Sequence, residues 1–129
     1  MAVDKPLHEL SIAEAGAALR AGKITSLALA EHSLKLIERH DKALDSFILV
    51  TKDRAIADAK AADKAFKAGI DRGPMQGIPY GLKDIYDTAG IPTTCHSKLL
   101  IDNIPKQNSV VADRFAVGGG VLIGKLATH

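Results

Sequence analysis

Little in this sequence points to a disulfide scaffold, a membrane or a nucleic acid. One cysteine in 129 residues excludes an internal disulfide framework and fits a reducing compartment. No run approaches the ~20 apolar residues of a membrane span. Residues 1–11 carry Asp4, Pro6 and Glu9 without an apolar stretch, so no secretory signal is expected. A net charge of +2, with no compact basic run, is too small to argue for a nucleic-acid surface. No repeat or low-complexity linker interrupts the chain. These absences make a cytoplasmic protein with no membrane and no direct nucleic-acid partner the expectation.

What is present suits a soluble globular domain: 47% hydrophobic and 25% charged residues over one ordinary domain length. Ser11-Ile-Ala-Glu14 spells a capping box and predicts a short helix ending at Gly22. Thr25 or Ser26 caps a second helix with the stripe Leu27, Ala30, Leu34 and Ile37, fading around His40-Asp41. Phe47 to Thr51 is a strand candidate. From Asp53 to Ala68 an alanine-rich helix is predicted, with Ala55, Ala59, Ala62 and Phe66 on one face. Asp63 and Lys67 stand at i,i+4 spacing, a pair worth a few tenths of a kcal/mol.

The stretch from Gly73 to Gly90 carries the chemistry. Gly73-Pro74 and Gly77 are turn signals, and Ile78 to Leu82 reads as a short core strand. Lys83-Asp84 then places a cation and an anion where that strand ends, the position at which open α/β sheets bind ligands. Residues 92–105 read as irregular. Asn108 or Ser109 caps a helix from Val110 to Val117, Gly118-Gly-Gly120 ends it, and Val121 to Ile123 reads as a buried strand. Strand, loop, helix and strand in that order predict a crossover with parallel strands.

Gly77-Ile-Pro-Tyr-Gly-Leu-Lys-Asp84, Thr88-Ala-Gly-Ile-Pro-Thr-Thr94 and Gly120-Val-Leu-Ile-Gly-Lys125, in that order, closely resemble the amidase signature family. The resemblance implies an α/β fold, the N-terminal portion of an α/β/α sandwich with a mixed sheet, here truncated. On that reading residues 1–129 are an incomplete amidase domain: 1–70 an N-terminal helical layer, 71–129 the first strands of the core. It further implies cleavage of a carboxylic amide to acid and ammonia or amine by a Ser–cis-Ser–Lys triad. Lys83 matches the triad lysine. Both serines fall in a Gly/Ser-rich segment absent here, so this chain alone is expected to be inactive. No metal or organic cofactor is implied. A small-molecule amide is the expected partner, with an oligomer or amidotransferase subunits also open.

A free lysine, with pKa ~10.4, is about one part in a thousand neutral near pH 7.4. A lysine base needs burial and neighbouring charge to bring it toward ~7–8. The resemblance implies that neutral Lys83 takes a proton from the bridging serine and later returns it to the leaving amine.

Two further readings stay open. Thr93-Thr94-Cys95 with Ser97-Lys98 also resembles the glutamine-hydrolysing component of a tRNA-dependent amidotransferase. A non-catalytic fragment or binding module is the alternative of another class.

The remaining candidates are weaker. Thr93, Thr94 and Ser97 sit in a loop expected to return near the strand ends and to line the substrate site. Asp84 and Asp87 as an acid–base or metal pair lack partners, and balancing charge or fixing a turn suits them better. Gly119 to Lys125 matches a phosphate loop for seven positions, but Leu126 replaces the hydroxyl that would hold Mg²⁺. Cys95-His96, in an extended segment, would point to opposite sides and form no nucleophile–base pair. Val121 to Ile123 is expected near a sheet edge unless another segment pairs with it, with no later helix to cover one face.

Overall fold

The computed structural model describes residues 4–129. After a 3-10 turn at Leu7–Glu9 come α1 (Ile12–Arg20), α2 (Ser26–Leu44), β1 (Phe47–Val50) and α3 (Lys52–Lys67). Then follow β2 (Pro79–Lys83), a 3-10 turn at Lys98–Leu100, α4 (Val110–Val117) and β3 (Val121–Leu126).

The helix starts follow local chemistry. The Ser11 hydroxyl accepts from the Glu14 amide at 3.2 Å and the Ser11 amide donates to the Glu14 carboxylate at 2.8 Å, closing the capping box. Thr25 caps α2 and Ser109 caps α4. α2 outlasts its expected end because Asp41 turns its carboxylate to the amides of Ser46 and Phe47, at 2.8 and 3.3 Å. The last turn thereby anchors the entry to β1.

Asp63 departs from its expected role. Instead of serving Lys67, its carboxylate accepts from the amides of Ser26 and Leu27 at 2.7 and 3.1 Å. Two otherwise orphaned donors at the start of α2 are a better use of a charge than an exposed lysine.

The sheet order is β1-β3-β2, with β1 antiparallel and β2 parallel to β3. The parallel pair agrees with the expected crossover. β3 is central, not marginal, because β1 supplies the second partner. Earlier helices cover the face that no later helix was expected to reach. Val121 and Ile123 pack on Ala30, Ala55 and Ala59 of α2 and α3. Leu122 faces the other way, onto Leu82 and Ala112 of α4. Three consecutive apolar residues buried on two faces each contribute roughly 1.5–3 kcal/mol. The chain is therefore an α/β fold with a mixed sheet between helices.

Gly77 shows why the approach to β2 carries a glycine. Its φ is 76°, and a Cβ would meet Leu19, Phe66 and Ser26 at 3.1–3.2 Å. Its amide donates to Gly119 at 2.8 Å, and Val121 donates to Ile78 at 2.9 Å, so the two loops enter the parallel pair together.

Candidate functional site

Lys83 is the last residue of β2, paired in register with Leu126. It is half-buried and, among the described residues, makes no ion pair. Asp84 follows it and is fully buried. The Asp84 backbone is pinned on both sides: its amide donates to Leu126 and its carbonyl accepts from Cys95, each at 2.9 Å.

The Asp84 carboxylate organises the loop that returns to this strand end. Its Oδ2 accepts from the Thr94 hydroxyl at 2.6 Å and the Thr94 amide at 3.1 Å. Its Oδ1 lies 3.3 Å from the ammonium of Lys125, without an aligned hydrogen bond. Lys125 is itself fully buried, and its Nζ also donates to the Thr93 hydroxyl at 2.9 Å and the Tyr86 carbonyl at 3.0 Å. Burial pulls the Lys125 amine below the usual lysine value, and the Asp84 carboxylate opposes that shift.

A β-bulge places Lys125 there. Between Tyr80 and Gly81 of β2 the register steps from Leu122 to Gly124 of β3. Leu122 and Lys125 are three residues apart and should face opposite sides. The extra residue resets the alternation, so Lys125 lies beside Leu82.

The structure brings some of the expected lining residues to one place. Thr94 and Ser97 border a cavity of about 310 Å³, together with Ile48, Leu49, Pro92 and Asp84. Thr93 is buried and engaged by Lys125 instead, and its backbone is tied to Asn103 at 2.8 and 2.9 Å. Lys83 is not among the residues lining that cavity. A larger groove of about 620 Å³ lies between α2, α3 and β1, away from this corner.

Cys95 and His96 are not extended as expected. Both adopt positive φ, 51° and 59°, in a turn closed by the Ser97 amide donating to Thr94 at 2.8 Å. The His96 amide donates to the Thr94 hydroxyl at 3.1 Å, and its Nδ1 approaches the Thr128 carbonyl at 2.5 Å. The Cys95 amide donates to the Asp84 carbonyl, so the turn is fixed by the residue that follows Lys83. Among the described residues, no group of three or more His, Cys, Asp or Glu is placed to hold a metal. Among them, too, no helix is long and apolar enough to cross a membrane.

Lys125 is the residue that sequence reasoning misses, because the pattern around it reads only as a phosphate loop. A cation inside an apolar strand is the available signal, since such a charge needs a buried partner. In the fold it is an internal counter-ion, with no glycine-rich phosphate loop around it.

The amidase family model matches residues 28–129. The chain is 44% identical over 119 residues to the A subunit of glutamyl-tRNA(Gln) amidotransferase from Thioalkalivibrio sulfidiphilus, covering 92% of this chain and 24% of that relative. The namesake from Chloroflexus aurantiacus is 41% identical over 120 residues, covering 93% and 25%. Among solved structures, the native peptide amidase of Stenotrophomonas maltophilia superposes with a TM-score of 0.88 at 30% identity, covering 94% and 25%. Fatty acid amide hydrolase shares the fold, with a TM-score of 0.89 at 22% identity, covering 95% and 22%. The chain thus spans about a quarter of the length of the relatives it matches. With the Gly77–Asp84 segment, the parallel strand pair and the matched residues in agreement, the chain belongs to the amidase signature family.

Proposed function

We propose that the complete protein cleaves a carboxylic amide to acid and ammonia or amine, with Lys83 as the base of a Ser–cis-Ser–Lys triad. The observation carrying this is the placement of Lys83. It ends β2 in the Gly77–Asp84 segment, half-buried and free of any ion pair among the described residues, and is followed by an Asp84 whose carboxylate is directed to Thr94 and Lys125. An amine held this way has no carboxylate bound to its proton, which suits an acceptor. Neutral Lys83 takes the proton of the bridging serine, that serine deprotonates the nucleophile, and the proton returns to the leaving amine. Both serines lie outside these 129 residues, so the isolated chain is expected to turn over no amide.

The test is hydrolysis of simple amides by the complete enzyme and by its Lys83→Ala variant. The expected outcome is a loss of roughly 10²–10⁴-fold, the range for a positioned acid–base group. Wild-type turnover by the variant would overturn the assignment.

A second reading has a specific support: the relatives at 39–44% identity are named as amidotransferase A subunits. On it, the triad releases ammonia from glutamine for partner subunits acting on a charged tRNA. Glutamine-dependent transamidation by the complete protein with those subunits distinguishes this from a stand-alone amidase.

A further inference from the structure

We propose that Lys125 is a positioning residue for Lys83: its ammonium clamps the exit of β2 to the returning loop and compensates the buried Asp84, the residue that follows Lys83. The inference rests on the reading of Lys83 as the base.

The two hydrogen bonds and one ion pair of the Lys125 ammonium converge on segments flanking Lys83. Asp84 is the next residue, Tyr86 lies in the turn that follows, and Thr93 belongs to the loop folding back. Asp84 in turn holds Thr94 by both amide and hydroxyl and Cys95 by its carbonyl. Removing the ammonium breaks its ties to Tyr86, Thr93 and Asp84, and leaves only the bonds of Asp84 to Thr94 and Cys95 to hold the strand exit to that loop. The bulge in β3 is what delivers it to this side of the sheet.

Charge makes a second contribution. Asp84 and Lys125 are both wholly excluded from water, so each depends on the other for compensation. The titratable groups facing Lys125 are Asp84, Asp87 from the turn after β2 and Cys95 from the loop. Without Lys125, the buried Asp84 carboxylate stands uncompensated in the segment that fixes the strand end bearing Lys83.

The experiment uses the complete enzyme and compares Lys125→Met, Asp84→Asn/Lys125→Met and Lys83→Ala by kcat and KM against pH, with thermal unfolding to establish the folded fraction. For Lys125→Met kcat falls on the order of tenfold across the pH profile while KM changes little, the split expected when the base is displaced and substrate binding is kept. The double variant carries no buried charge at this corner, so its folded fraction returns toward wild type while its kcat stays several-fold low for want of the clamp. A folded Lys125→Met with wild-type kcat overturns the proposal. So does a double variant with wild-type kcat, which decides the matter should the single variant fail to fold. Inactivity of Lys83→Ala beside an indifferent Lys125→Met sinks this inference alone, whereas wild-type turnover by Lys83→Ala sinks both readings.

Discussion

Asp63→Ala is expected to destabilise the protein far more than its place on an exposed-looking helix suggests. The first turn of α2 contains no acidic residue, so its N-terminal partial charge is met from another helix. The Asp63 carboxylate takes the Ser26 and Leu27 amides at 2.7 and 3.1 Å, Thr25 takes the Ala28 amide at 3.1 Å, and the Leu29 amide reaches Thr25 at 3.2 Å. All four leading amides of α2 are thereby satisfied. Ser26 is fully buried, so its amide cannot turn to water when the carboxylate goes.

Hydrogen bonds to a charged group contribute about 1.5–3 kcal/mol each when well made, and a stranded buried donor costs about 1–3 kcal/mol. Asp63 is half-buried, which discounts the sum to about 2–4 kcal/mol for Asp63→Ala, or roughly 10 °C in Tm. Asp63→Asn keeps one acceptor oxygen and should lose about half of that. Lys67→Ala tests the alternative local pair and should stay within about 0.5 kcal/mol of wild type. Urea unfolding of the three variants decides. Equal, small losses for Asp63→Ala and Lys67→Ala would refute the account of how α2 is started.

Three other outcomes are expected. Gly124→Ala should weaken the fold by about 1–3 kcal/mol or more, because its Cβ would lie 2.6 Å from the Leu49 carbonyl and the Phe47 ring. Gly81→Ala meets the Leu126 side chain first, at 2.8 Å, and should cost less in the same urea series because a side chain can move aside. Thr94→Val removes a 2.6 Å bond to the buried Asp84 carboxylate and should cost about 1.5–3 kcal/mol, read by thermal unfolding. The Arg20 guanidinium, followed by the Gly73 amide, holds the Asp71 carboxyl at about 2, below its ordinary value of 3.8. A carboxyl depressed on folding stabilises above its unfolded value and loses that contribution as pH falls from about 4 toward 2. Arg20→Gln should therefore flatten the pH dependence of stability in that window, and an unchanged slope would contradict the pairing.

What was legible in the sequence depended on how far the decisive partner lay along the chain. The capping box of Ser11 and Glu14 was readable because donor and acceptor are three residues apart. The strand before Lys83 was readable to within one residue because turn signals precede a short apolar run. Asp63 misled because a satisfactory partner stood four residues away, while the amides it takes belong to another helix. The Cys95-His96 turn gave no sign either, since neither residue is a glycine or asparagine that would flag positive φ. Bonds from Asp84 and Thr94 impose that conformation, and those depend on the tertiary fold.

Lys125 shows the limit most sharply. Two-residue periodicity puts it with Val121 and Ile123, on the face covered by α2 and α3, where no carboxylate is bonded to it. A single bulge moves it to the other face, beside Leu82 and within reach of Asp84. That bulge carries no turn signal of its own, since Gly124 equally suits a close approach to β1. Pattern reading assigns a strand its burial, but one inserted residue decides which layer receives the charge. Here that choice puts the cation among the groups that fix the strand end bearing Lys83, so the bulge belongs to the proposed site as much as to the sheet.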